Sequence, residues 1–422
     1  MIYHHRLTQN APTIMEQVNA FQRYSRFKVW NANTELGFPE GLRDLEFQVI
    51  LLHYSLFGWL PFCLGGQFLD YIKQSQSSYK IAFFQDEYRY WPQRSELLNR
   101  YRIDCVYTLV EPAYFKDTYQ KHTRVPKLVY TLPGYVSDEL VYRAQRLTKP
   151  DQDRTIDVGY RGRRLPFYMG RGAQEKHIIA LRFRERAANL DLKIDVETEE
   201  SKRIYGEQWY EFLSNCRGVL GVEAGVSIFD IDNVVYPQCE RLIAKNPKIS
   251  FEEVYEKLLH AYEDNIFYRT ISPRHFEAAA LRVTQILFEG KYSGIMQPMV
   301  HYIPLKKDLS NFGDVIRMFR DEALRRKLAE NAYRDLIASG QYSYQRFIES
   351  FDQELLQAGL QPEFPAAEAQ RITELLEKDR TCRLFRANIR SVWYRPFPGR
   401  SVVRTFVRPL LKRYRGLKQQ KL

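Results

Sequence analysis

The chain of 422 residues has no C-x-x-C pair, and its five cysteines (Cys63, Cys105, Cys216, Cys239, Cys382) are scattered and odd in number. That excludes a disulfide framework and a zinc ribbon, and it fits a reduced, cytoplasmic chain. There is no H-E-x-x-H, no cluster of His and Cys ligands and no G-x-S-x-G, which excludes zincin and nucleophile-elbow chemistry. Neither a P-loop nor G-x-G-x-x-G occurs. The opening MIYHHRLTQNAP has no apolar core of the kind a secretory leader needs. Val49 to Leu69 holds no Asp, Glu, Lys or Arg, but His53, Gly58, Pro61, Gly65 and Gly66 interrupt it. It is read as a buried strand and an apolar loop rather than a membrane span. The loop, Leu56 to Phe68, is expected to bury in the core in preference to touching a membrane. No internal repeat and no low-complexity block is present.

Acidic residues are missing altogether from 380–422, which holds 13 Lys and Arg. The rest of the chain carries 50 basic and 51 acidic groups, so the net charge of +12 is a property of the tail. Such a block points to an anionic partner at the tail rather than a basic cleft throughout. Val403, Phe406, Val407, Leu410, Leu411 and Tyr414 share one helical face, and Arg400, Arg404, Arg408, Lys412 and Arg415 another. That is a basic amphipathic helix, kinked at Pro409. The reading taken is an anionic membrane surface. Nucleic acid, through Arg interleaved with Phe385, Trp393 and Tyr394, and a plain solvated end are the alternatives. No specific nucleic-acid partner is expected.

What is present is an alternation of strands and helices. Apolar runs at Phe47–Leu52, Lys80–Phe84, Asp104–Leu109 and Lys127–Leu132 read as buried parallel strands. A polar stretch, 144–155, separates them from a second series: strands at 156–160, 192–196 and 218–222, with helices at 174–189 and 208–214. The fold class expected is α/β, two Rossmann-like doubly wound domains facing a cleft, with a basic helical tail. The divisions are 1–146 for the acceptor domain, 153–342 for the donor domain, 343–360 for a closing helix and 361–422 for the tail.

The stretch Ile271–Asn311 is the richest in signals. Ser272-Pro273 marks a helix start, with Phe276, Ala279, Ala280 and Val283 as its apolar stripe and Glu277 in its first turn. His301–Leu305 follows as a short strand. Upstream, Tyr160-Arg-Gly-Arg-Arg164, Gly170-Arg-Gly172 and Glu175-Lys176 form a glycine-containing basic loop between a strand and a helix. Its amides and guanidinium groups, Arg161 and Arg163 among them, suit a phosphate. In the first series the strand ends offer His53-Tyr54-Ser55 and Gln85-Asp86-Glu87-Tyr88. His53, Asp86 and Glu87 are the candidate bases, though a leaving phosphate can also take the proton. Asp230-Ile231-Asp232 imitates a metal-binding D-x-D, but three residues match by chance often, and no metal is expected.

Taken together, Arg161, Lys176, the segment Gly221-Val-Glu-Ala-Gly-Val-Ser227 and Ser272-Pro-Arg-His-Phe-Glu277 resemble the donor domain of GT-B glycosyltransferases. The likeness is to the group-1 type of bacterial surface-polysaccharide clusters, over about residues 150–358. It implies that Arg161 and Lys176 hold a donor diphosphate and that Glu277 binds the nucleotide ribose. Glu223, Ser227, Arg274, Tyr292 and Ser293 join the donor site on the same reading. The family's E-x7-E would place an acid at 269, where this chain has Arg269. The implied function is transfer of a sugar from a nucleotide-diphosphate donor to a glycan or lipid-linked acceptor. No cofactor is implied beyond that co-substrate. The implied setting is cytoplasmic, peripheral on the inner face of the plasma membrane. A sugar-nucleotide epimerase of the same fold and a non-catalytic nucleotide- or polyanion-binding protein are the alternatives.

Overall fold

The computed structural model describes residues 1–7 and 12–394. Six parallel strands build the first sheet: β1 (Ile2–Tyr3), β2 (Ala32–Asn33), β3 (Val49–Leu52), β4 (Tyr79–Phe83), β5 (Cys105–Thr108) and β6 (Lys127–Tyr130). Their order is β2-β1-β3-β4-β5-β6. Residues of β3, β4 and β5 are buried on both faces, which is why these strands read as unbroken apolar runs. Helices α1 (Pro12–Tyr24), α2 (Gly66–Gln74) and α3 (Trp91–Arg100) connect and cover them.

The chain then crosses to a second sheet. Before it does so fully, α4 (Asp138–Leu147) already shares a core with the second half: Val136, Leu140 and Ala144 pack with Tyr210, Leu213 and Phe276. The crossing therefore lies ahead of α4, not in the polar stretch at 144–155. The second sheet contains β7 (Ile156–Arg161), β8 (Ile194–Glu197), β9 (Cys216–Gly221), β12 (Thr284–Phe288) and β13 (Ile303–Leu305), all parallel, in the order β13-β12-β9-β7-β8. A separate antiparallel ribbon pairs β10 (Ala224–Val226) with β11 (Tyr268–Thr270). The helices in this half are α5 (Arg171–Ala187), α6 (Glu207–Ser214), α7 (Val235–Lys245), α8 (Phe251–Lys257), α9 (Pro273–Ala280), α10 (Phe312–Arg320) and α11 (Glu322–Tyr333). Two doubly wound domains are thus present, their strand ends turned toward each other.

Strand β12 was not anticipated. Residues 278–288 are mostly apolar, interrupted by Arg282, Thr284 and Gln285, a pattern that suits a buried helix or a buried strand equally well. The structure ends α9 at Ala280, turns at Arg282 with φ +51°, and starts β12 at Thr284. Val283 consequently lies outside the helix whose stripe it was expected to extend.

That the excursion between β10 and β11 joins the domains was also unforeseen. Phe229 meets Trp91 edge to face at 5.7 Å. The Asp230 amide donates to the Tyr88 carbonyl at 2.9 Å, and the Tyr268 hydroxyl to the Gln85 carbonyl at 2.6 Å. One hydrophobic cluster runs from Ile50, Phe84 and Trp91 into Phe229, Val254 and Tyr268. Two further contacts mark where the chain leaves and re-enters the first domain. The Val136 amide donates to the Tyr342 carbonyl at 2.8 Å and the Tyr344 amide to the Val136 carbonyl at 3.0 Å, pairing the outgoing chain with the returning one. Returning, α12 (Tyr344–Gln357) lays Phe347 and Phe351 against Phe21, Phe83 and Tyr107 of the first sheet. After it, α13 (Ala366–Glu377) and α14 (Arg380–Tyr394) run back over the first domain. The amphipathic helix expected over 403–414 lies outside the described residues. No helix among those described is long and apolar enough to cross a membrane.

Candidate functional site

At the carboxyl ends of β7 and β9, where open α/β sheets bind ligands, lies a cavity of about 440 Å³. Pro12 and Thr13 of the first domain close it from the other side. Arg163, Lys176, Arg203 and Arg274 line it together with Tyr205 and Trp209, and no Asp or Glu does so among the described residues. Lys176 sits in the second turn of α5. Burial, then Arg274 and Arg163, push its ammonium down to about 8, against the pull of Asp86. Arg203 is paired with Glu200 at 2.6 Å, but Arg163, Lys176 and Arg274 drawn together in this way are an unfavourable arrangement until an anion enters.

Asp86 stands across the cleft at the end of β4. Its side chain is open to solvent although protein encloses it. That enclosure raises its carboxyl above the ordinary range, and the charges of Arg94, Lys176 and Arg163 oppose the rise. The two other candidate bases point elsewhere. His53 is wholly buried: its Nδ1 accepts the Ser55 amide at 3.1 Å and caps the short 54–57 turn, and burial pushes its imidazole down to about 3. Glu87 is wholly buried as well, accepts a hydrogen bond from the Thr108 hydroxyl, and is pushed up to about 7 by desolvation.

The donor-site expectations divide similarly. Arg161 was expected to clamp phosphate. Instead its Nη2 donates to Asp195 Oδ2 at 2.8 Å, its Nη1 to the Tyr160 and Asp195 carbonyls at 2.9 Å, and its guanidinium lies 4.3 Å over the Phe212 ring. Arg161 still lines the cavity, as does Arg274, which donates to the Arg161 carbonyl and lies 4.8 Å over Trp209. The glycine turn at 170–172 is likewise occupied by the protein itself. Ser227 Oγ accepts the Gly172 amide at 2.8 Å, and Glu263 accepts that of Arg171 at 3.1 Å. At Gly170, with φ +82°, an added Cβ would lie 2.4 Å from Ser227 Oγ. Ser227 therefore braces the turn and does not line this cavity. Glu223 accepts the amides of Lys291 at 3.1 Å and Tyr292 at 2.8 Å, and so holds the 290–294 turn. Tyr292 is buried, its hydroxyl donating to the Phe288 carbonyl at 2.6 Å. Ser293 Oγ bonds Thr270 Oγ1 at 2.7 Å. These three carry the loop and do not line the cavity.

Glu277 lies in the second turn of α9, so the helix-start argument for it does not hold; the Ser272 cap and Pro273 do stand at the start. Trp209 Nε1 donates to Glu277 Oε2 at 2.7 Å, which ties the carboxylate to the cavity's aromatic wall. Burial raises the Glu277 carboxyl. Facing it from α1 is Glu16, pushed up to about 7 first by burial and next by Glu277. Glu16 and Trp209 were both missed. Trp209 opens a helix that follows a strand, and an aromatic there was a usable signal, whereas Glu16 in an amphipathic helix gave none. Arg269, at the position where an acid was expected, pairs with Asp264 at 2.5 Å and with Glu175 at 3.9 Å. Asp230 of the D-x-D accepts the amides of Val234, Val235 and Tyr236 at 2.8–3.1 Å and caps α7.

No family model matches the chain, and no curated protein matches it. Solved structures do. An α-glucosyltransferase in complex with UDP and a 13-mer DNA is 11% identical with a TM-score of 0.46, covering 84% of this chain and 98% of that one. Anabaena HepE in complex with UDP-glucose is 10% identical with a TM-score of 0.46, covering 85% and 99%. TarM is 12% identical with a TM-score of 0.36; the match covers 66% of this chain and spans half of TarM's length.

Proposed function

We propose that the protein is a glycosyltransferase that moves a sugar from a nucleotide-diphosphate donor to a hydroxyl of a glycan or lipid-linked acceptor, in cell-surface polysaccharide synthesis. The observation that carries this is the carboxylate-free cavity at the second sheet's strand ends, with Lys176, Arg163 and Arg274 on one wall and Asp86 opposite. The three cations take the diphosphate and stabilise its charge as the glycosidic bond to it breaks. No metal is invoked in this reading. The Trp209 face receives the base, and Glu277, with one oxygen held by Trp209, offers the other to the ribose hydroxyls. Asp86 accepts the proton of the attacking hydroxyl. The partner at the tail is an anionic membrane surface, reached through 380–422. Calorimetry with UDP and with the other nucleoside diphosphates tests the site. Binding is expected in the intact chain and is expected to be lost in Lys176→Ala combined with Arg163→Ala. Equal binding by both would refute it.

A further inference from the structure

The tip that follows β3 is apolar and held rigid. Residues 57–62 read Phe-Gly-Trp-Leu-Pro-Phe, with no polar side chain among them. Phe57 is buried against Phe84 at 4.4 Å, which agrees with the expected core burial, but Trp59 is 78% exposed and Leu60 56%. A single wholly buried guanidinium fixes them. Arg94 donates to the carbonyls of Phe57, of Gly58 at 3.2 Å, of Leu60 at 3.3 Å and of Pro61 at 3.1 Å. The same guanidinium donates to the Asp86 carbonyl. Burying a guanidinium costs free energy unless hydrogen bonds replace its water, and here nearly all of them go to one loop's backbone. The tip and the strand end that bears Asp86 form one unit.

Neighbouring segments extend the surface. The first sheet is parallel, so the ends of β1, β2 and β3 share one edge. Arg6 and Leu7 follow β1 and are exposed. The His4 amide donates to Ser55 Oγ at 2.9 Å, and His4 Nδ1 lies 2.9 Å from Thr34 Oγ1, which ties the three strand ends together. Helix α14 packs on the 34–36 turn with Arg383 and Ala387 buried, and turns Phe385, Arg386 and Ile389 outward at helical spacing.

We infer that this edge, formed by Leu7, Trp59, Leu60, Phe385 and Ile389 with Arg6 and Arg386 around them, is a docking surface for an anionic lipid bilayer. It rests on the membrane reading of the tail and adds that the first domain itself inserts. Charge complementarity selects the occupant: the exposed cations suit lipid phosphates, and the chain beyond α14 continues with basic residues and no acid. A sugar ring would need hydroxyl partners, which the tip does not supply. Docked in this way, the cleft beside Asp86 lies at the bilayer surface, and the acceptor is drawn from the lipid.

The test uses the full chain, its Trp59→Ser/Leu60→Ser variant and vesicles of phosphatidylcholine with about a third phosphatidylglycerol. Partition of the intact chain onto these vesicles, and quenching of its tryptophan by brominated lipid, are expected. The variant is expected to partition at least about tenfold more weakly and to lose quenching, with unchanged melting temperature and unchanged UDP affinity. If the intact chain ignores the vesicles, the tail reading fails along with this one. If the variant binds them as the intact chain does, the docking edge alone is overturned. A variant that keeps vesicle binding but loses transfer to a soluble glycan would overturn it too.

Discussion

The two sheets meet the cleft in opposite ways. At the end of the first sheet the conspicuous polar groups serve the protein: His53 caps a turn, Glu87 takes the Thr108 hydroxyl and Arg94 holds a loop. Only Asp86 is left facing outward. At the end of the second sheet the cations are left over. Arg161 lines the cavity but is paired with Asp195, whereas Arg163, Lys176 and Arg274 surround it with no carboxylate in its wall among the described residues. What marks a site here is charge without an internal partner. A titratable side chain near a strand end is not enough.

That contrast can be broken from either side. Asp86→Asn should lower the transfer rate about 100-fold or more, with nucleotide affinity intact, as steady-state kinetics beside calorimetry would show. An equal loss in Glu87→Gln would reverse the assignment of the two neighbours. Removing Lys176 and Arg163 together should weaken UDP by about 100-fold. Arg161→Lys, by comparison, should reduce the melting temperature more than it reduces affinity.

Glu87 should announce itself in stability. Its carboxyl keeps the proton up to about pH 7 when folded, against a reference value of 4.5 when unfolded. As pH rises through that window the unfolded chain releases the proton first, so stability falls, by about 3 kcal/mol at most. Urea midpoints of the intact chain should decline between those values. Glu87→Gln should decline less.

Lys176 predicts a pH effect on binding instead. Its ammonium, pushed down to about 8, must be charged to hold a diphosphate. Affinity for UDP should thus fall as pH rises above about 8, by up to about tenfold per unit, and Lys176→Gln should flatten the curve. The smallest effect belongs to Trp209→Phe, which deletes the bond to Glu277 and should weaken UDP by about tenfold or less.

Much of this was legible in the sequence. The apolar runs gave the parallel strands because strands covered on both faces cannot alternate. Ser272-Pro273 announced α9 because capping is local chemistry. Arg163 and Lys176 could be marked because a basic loop between strand and helix is a local pattern, whereas Arg274 entered only through the family resemblance. What was illegible depends on distant partners. Nothing around Arg161 tells that Asp195 will take it, and nothing around Glu223 tells that the 290–294 turn needs its carboxylate. The excursion between β10 and β11 hid for a related reason: its apolar residues are spaced for a partner domain, not for its own helix faces. Glu277 was placed one turn early, and its bond to Trp209 joins residues 68 positions apart.

Helix α12 has a consequence for the order in which the molecule comes into being. Phe347 and Phe351 cover the face of β4 and β5 that Phe21 shares. A nascent chain that has finished its first sheet still shows this face to water, and goes on doing so while the whole second domain is made. The first domain to be synthesised is the last to be closed. Truncation just before residue 344 should remove a wall of the first core while sparing the second sheet, and the chain end nearest the tail governs when the beginning becomes stable.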